Sequence, residues 1–260
     1  MRAICLHDKD RIAAFLRRRP ELHDYMIGDL DDFFWPYTQW YGLEEGGQLR
    51  QVALLYAGTS LPVLLALTDD PPAMRELLRG VLHLLPRRVY AHLSDGVPEA
   101  LADTYRAESH GTYYKMRLAD PARSEGVDVS DVAQLTPADL AEVRAFYEAA
   151  YPGNWFDPRM LETGQYFGLR RDGELASVAG VHVYSPAYGV AALGNIATHP
   201  RARGQGLATT TTAALCRSLR QRVGYIGLNV NTQNQPAIAC YRRLGFEPAA
   251  TYGEYMLELS

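Results

Sequence analysis

The chain has 260 residues, is 47% hydrophobic and 22% charged, and carries a formal net charge of −4. That is enough apolar sequence for one or two ordinary cores, and the negative balance argues against a general nucleic-acid binder. Its three cysteines, Cys5, Cys216 and Cys240, stand far apart with no C-x-x-C pair, which argues against a structural zinc site or a disulfide framework.

The N-terminal MRAICLHDKDR lacks the long apolar core of a secretion signal. The longest apolar region, QVALLYAGTSLPVLLAL, is broken by Gly58, Thr59, Ser60 and Pro62, so it reads as two strands and a turn rather than a membrane span. The expectation is a cytoplasmic protein, monomeric or homodimeric, with no metal, nucleic-acid or membrane partner.

In chain order, DKDRIAAFLRRRPE is expected to be an amphipathic helix stopped at Pro20. An aromatic stretch, DDFFWPYTQWYG, follows, with Trp35 and Trp40 in it. QVALLYA and LPVLLAL are predicted as adjacent strands turning at Gly58. AMRELLRGVLHLL is predicted helical after Pro71 and Pro72. RRVYAHL reads as a strand, PEALADTY as a helix and GTYYKMRL as a strand. PARSEGVDVSD is polar and Pro/Gly-containing, the composition of a linker.

The second half repeats the order. VDVSDVAQL is predicted as a strand and TPADLAEVRAFYEAAY as a helix with Thr136 at its N-cap. YPGNWFDPRMLETG reads as a loop with a short helix. QYFGLRR and ELASVAGVHVYS are strands joined at Arg171-Asp172-Gly173, a hairpin signal. VAALGNIATH is a strand, LATTTTAALCRSLRQR a helix, YIGLNVN a strand and QPAIACYRRL a helix, with two last strands running to YMLEL. GTYYKMRL and TYGEYMLEL close the halves alike. The reading is an α+β chain with a mixed α/β sheet, two copies of one unit in tandem: 1–120, a linker at 121–130, and 131–260.

Two stretches carry chemistry. RARGQGLATTTT, residues 201 to 212, lies between a strand and a helix. Glycines at 204 and 206 permit positive φ, so successive N–H groups can face one concavity. The following helix adds unpaired donors and a positive dipole end. Such a nest binds phosphate or pyrophosphate. Arg201 and Arg203 add charge, and the hydroxyls of Thr209 and Thr210 lie in the first helical turn. The spacing matches neither a P-loop nor a dinucleotide fingerprint. Thr211 and Thr212 have no evident role beyond packing. The second stretch, NVNTQNQPAIACYRRLGF, ends a strand at Asn231, opens a helix near Pro236, places Ala237, Tyr241 and Leu244 on one face, and stops the helix at Gly245.

Together these stretches resemble the GNAT acyltransferases, which move acyl groups from coenzyme A. Arg203, Gly206 and Ala208 match that family's loop [QR]-x-x-G-x-[GA], and Asn234, Ala237, Tyr241, Gly245 and Phe246 match N-x-x-A-x-x-x-Y-x-x-x-G-F. The resemblance covers about 127–260 and looks closest to the glycine N-acyltransferase-like branch, with tandem members also similar.

The resemblance implies that coenzyme A lies where GNIATH splays from YIGLNVN. It implies pantetheine contacts from the backbone of Ile196, Ala197 and Thr198. Pyrophosphate contacts are expected from Arg201, Arg203, Gly204, Gln205, Gly206, Leu207, Ala208 and Thr209, and cofactor contacts from Asn234 and Ala237. Transfer from a thioester to an amine needs positioning, a polarised carbonyl and a protonated leaving thiolate, and Tyr241 is the expected proton donor. The strand before the loop holds no carboxylate, which leaves His182, His199 or a water chain as proton acceptor. Trp155, Phe156 and Asp157 are expected to wall the acceptor pocket, where aromatic faces attract a cation. The implied activity is acetyl transfer from acetyl-CoA to the amine of a small molecule or a protein N-terminus, directly in a ternary complex. Transfer of another acyl group and a non-catalytic CoA-sensing module are the alternatives. The first half lacks both motifs: TDDPPAMRELL offers no glycine, two prolines without N–H, and Asp69 and Asp70. It is expected to be a degenerate copy without a cofactor site.

Overall fold

A computed structural model describes residues 1–260. The chain forms two compact units, Met1–Lys115 with Ala249–Ser260, and Met116–Pro248.

The first unit runs β1 (Arg2–Leu6), α1 (Lys9–Leu16), α2 (Pro20–Gly28), β2 (Thr38–Glu45), β3 (Gln48–Tyr56), β4 (Val63–Ala66), α3 (Pro71–Val81), β5 (Arg88–Leu93) and most of β6 (Tyr105–Leu118). Strands β1 to β4 pair antiparallel in sequence order, and β4 pairs parallel with β5. A parallel neighbour needs a crossover, which α3 supplies. Its buried Ala73, Met74, Leu77, Leu78 and Val81 follow helical spacing and pack on Leu43, Leu55, Leu64 and Val89 of the sheet. Each large side chain so buried contributes roughly 1.5–3 kcal/mol.

The second unit takes in the end of β6, then α4 (Ala122–Glu125), β7 (Val132–Gln134), α5 (Leu140–Ala150), β8 (Phe167–Arg171), β9 (Glu174–Ser185), β10 (Val190–Thr198), α6 (Leu207–Arg220), β11 (Tyr225–Asn231), α7 (Gln235–Arg243) and the start of β12 (Phe246–Leu259). Strands β7 to β10 pair antiparallel in order, and β10 pairs parallel with β11 across α6. The two units thus share one topology: a four-strand antiparallel ladder, a helical crossover and a parallel fifth strand. This is the mixed α/β sheet, present twice, that the repeated sequence order implied.

Several elements differ from the sequence expectation. Pro20 does not merely stop a helix but opens α2, where its missing N–H is no loss. PEALADTY makes only a 3₁₀ turn, Pro98–Ala100, and Tyr105 already belongs to β6; the segment is too short to nucleate a helix unaided. Of VDVSDVAQL only Val132–Gln134 is extended, because the Asp128 carboxylate accepts from Ser130 N–H and turns the chain. The end of the chain is one 14-residue strand, β12, with Pro248 inside it. Thr136 caps as expected, its hydroxyl and N–H joined to Asp139.

The unit boundaries also fall elsewhere than the sequence division. Segment 121–130 lies in the second unit, where Arg217 donates to the carbonyls of Ser124, Glu125 and Val127. Residues 249–260 lie in the first unit, where Gly253–Glu258 pair with β5. No helix is long and apolar enough to cross a membrane.

The first unit buries an unusual charge cluster. Lys115 and Asp24, 2% and 1% exposed, pair at 2.6 Å. Beside them, burial and the Asp24 charge push Asp29 well above the carboxylate range. Burial and the nearby Lys115 hold His23 down at about 3, and its Nδ1 bonds no group of the chain. His23 is therefore neutral when folded, while an unfolded histidine charges below about 6.5. Unfolding takes up this proton between about pH 6.5 and 3, so its contribution to stability is complete above that window and is lost as pH falls through it. Asp29 acts in the opposite sense, so the test is a comparison. Denaturant midpoints of His23→Phe should fall less between pH 7 and 4 than those of the parent. Parallel curves would show that His23 does not titrate in this window.

Candidate active site

The site begins where two strands part. β10 and β11 pair from Val190↔Tyr225 to Leu193↔Leu228. Their pairing ends there, although β10 continues to Thr198 and β11 to Asn231. Past Leu193 the backbone of β10 on that side has no strand partner. Ile196, Ala197 and Thr198 lie in this splayed part, half-buried. Ala197 and Thr198 pair on their other edge with Val178 and Ser177 of β9.

A bulge starts the splay. The β9 register shifts between Gly194 and Ala197, and Asn195 between them has φ 53°. Asparagine tolerates this left-handed conformation better than most residues. Three hydrogen bonds among buried groups hold it. Tyr147 Oη donates to the Asn195 carbonyl at 2.6 Å, Asn195 Nδ2 donates to Tyr166 Oη at 3.0 Å, and Tyr166 Oη donates to the Val181 carbonyl at 3.2 Å. Sequence reasoning missed all three residues. An asparagine inside an apolar strand, GNIAT, was the one visible signal.

Beyond Thr198 the chain enters the glycine turn. Gly204 and Gly206 have φ 80° and 77°, and nothing lies within 4 Å of where a side chain would start at either. Gly206 is the N-cap of α6, and its carbonyl accepts from Thr209 and Thr210. The N–H groups of Gly204, Gln205, Gly206, Leu207 and Ala208 bond no acceptor in the chain. Five consecutive donors without a partner in the chain thus lie at a helix N-terminus, an arrangement able to bind an anion. The arginines behave differently from expectation. Arg203 turns back, its Nε on the Thr198 carbonyl and its outer nitrogen on that of Ala150, so it braces the turn. Arg201 is exposed.

The threonines divide by position. Thr209 Oγ1 lies 3.3 Å from Cys240 Sγ. Thr211 and Thr212 are fully buried. Thr211 Oγ1 bonds the Leu207 carbonyl and Ser177 Oγ, and Ser177 Oγ also meets the Ala197 carbonyl and Thr198 Oγ1. This hydroxyl chain fastens the first turn of α6 to the splayed end of β10. Thr212 Oγ1 bonds nothing in the chain.

The second motif is explained residue by residue. Asn234 is the N-cap of α7, its Oδ1 accepting from Ala237 N–H at 3.2 Å. Tyr241, about two helical turns further along α7, is 8% exposed and packs edge-on against Phe246. Burial pushes its phenol well up, so it is protonated at neutral pH, and its hydroxyl bonds no group of the chain. Gly245 has φ 93° and lies so close to Asp120 that a Cβ would fall 1.9 Å from that carbonyl oxygen.

The two histidines separate as well. His182 lies in a β9 irregularity, between Val181 and Val183, which pair with Leu193 and Ala192. Its ring covers Gly194, where a Cβ would stand 1.9 Å from Cδ2. His199 Nδ1 accepts from Arg201 N–H at 3.3 Å and caps the 3₁₀ turn Pro200–Ala202.

Of the expected pocket residues, Phe156 packs on Tyr147 and Tyr166. Asp157 caps the 3₁₀ helix Pro158–Thr163 and pairs with Arg159. Trp155 is 38% exposed. A groove of about 360 Å³ opens beside Phe156, also lined by Arg144, Tyr147, Glu148 and Asn154. The structure therefore joins Phe156 to the β10 bulge through Tyr147 and spends Asp157 on local structure.

Residues 131–246, all within the second unit, match the model of the Acetyltransferase (GNAT) family. The match spans just under half of the chain. No curated protein matches the chain. Among solved structures, a GNAT-family protein from Novosphingobium aromaticivorans is 21% identical at TM-score 0.61, over 84% of this chain and 91% of that one. A Drosophila protein is 15% identical at TM-score 0.73, over 98% of both chains. A tandem GNAT protein from the clavulanic acid biosynthesis pathway is 18% identical at TM-score 0.58, over 98% of this chain and 97% of that one. These likenesses establish a shared fold.

The two buried threonines give opposite expectations. Thr211→Val removes a bonded hydroxyl and should cost about 1 kcal/mol, whereas Thr212→Val removes an unbonded one and should stabilise by up to about 1 kcal/mol. Valine keeps the shape and nearly the same helix propensity. Denaturant midpoints check both; equal losses would mean that the Thr212 hydroxyl is satisfied.

Proposed function

We propose that this chain is an acetyl-CoA-dependent N-acetyltransferase that acetylates a primary amine by direct transfer. The observation that carries the reading is the run of five unpartnered N–H groups, 204–208, beside the splay of β10 from β11. Gly204, Gln205 and Gly206 are exposed, so these donors are open to an incoming anion, and a preformed row of them fits a pyrophosphate. The splayed edge of β10 fits an amide-bearing arm by strand-like hydrogen bonds. The fit to coenzyme A therefore rests on two chemically distinct donor sets at one end of one sheet.

Acetyl-CoA would supply the activated acyl carbonyl. The chain's own groups do the rest. N–H groups of the splayed edge, from Ile196 to Thr198, orient and polarise a carbonyl laid along it. Tyr241 Oη holds a proton that burial keeps in place, ready for a departing thiolate. Asn234, its Oδ1 used in capping, retains Nδ2 for the cofactor arm. On the acceptor side the candidate proton acceptors are His182, laid over Gly194 beside the bulge, and His199, whose Nδ1 caps the turn that follows. Neither Cys216 nor Cys240 has a base beside it, and burial raises both thiols, which disfavours a covalent intermediate and supports direct transfer.

We assign the cofactor to the second unit alone. In the first unit β4 and β5 stay zipped to the end: Ala66 pairs with Leu93, and Ser94 N–H donates to the Ala66 carbonyl. The helix start that corresponds to the nest is closed. Asp70 caps α3 through Ala73 N–H, Pro71 and Pro72 have no N–H, and Asp69 pairs with Arg19.

Two measurements test this assignment. Calorimetry with acetyl-CoA should give one site per chain, and Gly206→Asp, which puts a carboxylate into the nest, should abolish binding with the circular dichroism spectrum unchanged. Two sites, or binding that survives the substitution, would put the cofactor elsewhere. Tyr241→Phe should lower kcat roughly 10²–10⁴-fold with acetyl-CoA affinity retained. An unchanged single-turnover rate would remove Tyr241 from the chemistry.

A further inference from the structure

The groove beside Phe156 shares Tyr147 with the β10 bulge. Its polar lining is Arg144, Tyr147, Glu148 and Asn154. Two of these are already engaged. Tyr147 donates to the Asn195 carbonyl. Asn154 Nδ2 donates to the Tyr151 carbonyl at 2.7 Å, and its Oδ1 accepts from Phe156 N–H at 2.8 Å. These bonds, with Pro152 and Pro158 in the lining, fix the groove wall in place.

Arg144 and Glu148 remain. They stand one turn apart on α5, the i and i+4 spacing that brings side chains together. They form no ion pair with one another or with any other residue. The contrast with the same helix is informative: Glu142, also on α5, is taken by Arg170 at 2.5 Å. The groove thus offers one guanidinium and one carboxylate, both uncommitted, over an aromatic wall of Tyr147 and Phe156 whose centroids are 5.1 Å apart.

We infer that the acceptor is a free α-amino acid, with its carboxylate on Arg144 and its ammonium drawn to Glu148 and the aromatic faces. This deepens the N-acetyltransferase reading and rests on it. The chemistry selects the class. A guanidinium fork grips a carboxylate with two parallel hydrogen bonds. A carboxylate beside aromatic faces attracts an ammonium. A simple amine would leave Arg144 unused, and a protein N-terminus has no carboxylate next to its amine. Tyr147 links the groove to the splay, because the residue that forms its wall also holds the bulge carbonyl.

The test uses matched acceptors with the full chain and acetyl-CoA, read as thiol release and as product mass: phenylalanine, phenylalanine amide and phenethylamine, with the glycine and leucine series alongside. The amino acid should exceed its amide and its decarboxylated amine at least tenfold in kcat/KM. In Arg144→Gln that ratio should collapse toward one through a rise in KM for the amino acid. Arg144→Lys should restore part of it, since a charge without the fork remains. Glu148→Gln should raise KM for every acceptor in the series. Both substituted positions, Arg144 and Glu148, are exposed, so folding is not at stake. Equal use of amide and amino acid, or an Arg144→Gln ratio like the parent's, would overturn the assignment; preference for peptides blocked at the carboxyl end would point to a protein N-terminus and overturn it too. Absence of transfer to any amine, with acetyl-CoA still bound in calorimetry, would instead overturn the enzyme reading beneath it.

Discussion

Everything in the second unit turns on one unpaired edge. A parallel strand pair normally satisfies its backbone along its whole length. Here β10 and β11 pair for four residues and then separate. Leaving backbone donors and acceptors without partners is costly, so the splay persists only because other contacts enforce it. Asn195 in its left-handed conformation redirects β10, and Tyr147 and Tyr166 hold Asn195 from both sides. Ser177, Thr198 and Thr211 then fasten the diverging strand to α6. The free edge is a structural strain maintained by a buried polar network, and backbone strain of this kind concentrates at functional sites.

The first unit supplies the contrast within the same chain. Its topology is the same, yet β4 and β5 remain paired, and an aspartate caps the crossover helix where the second unit has a glycine. The difference is local chemistry at one strand end and one helix start. The layered fold itself requires neither the splay nor the nest, so a copy can lose both and keep its core. Fold likeness therefore does not distinguish the two units, whereas the chemistry at the strand end and the helix start does.

The sequence made the nest, the α7 motif and the doubled unit legible because each depends on local rules. Positive φ asks for glycine, an N-cap asks for asparagine at 234 with its acceptor used by Ala237, and a helix stop asks for Gly245. The role of Arg203 was not legible: its charge suggested an anion, but its length lets it reach back to two carbonyls. Asp157 was misleading for the same reason, since a carboxylate two residues before an arginine can serve its own turn. Asn195, Tyr147, Tyr166 and Ser177 come together only through strand register and packing, separated by up to 48 residues. No periodicity carries that information. The unbonded Thr212 and the bonded Thr211 are likewise indistinguishable in TTTT.

The end of the chain was also beyond local reading. β12 was expected as two strands of the second half, because Pro248 and Gly253 interrupt it. Its register is instead set by what it meets. Gly253–Glu258 pair with β5 of the first unit, Tyr252 Oη and Tyr90 Oη both donate to the Glu254 carboxylate, at 2.7 and 2.5 Å, and His92 Nε2 stands 3.5 Å from it. Tyr90 and Glu254 are 164 residues apart in sequence. A buried carboxylate is costly unless hydrogen-bonded, so Glu254 is tolerated only in this pairing and a one-residue slip would turn it to the other face. The first unit therefore cannot complete its sheet until residues beyond the second unit have been made. Such non-local pairing slows folding. It also makes β5 an uncovered edge in any chain that stops before Ala249, which ties the integrity of the first unit to the residues that follow the second.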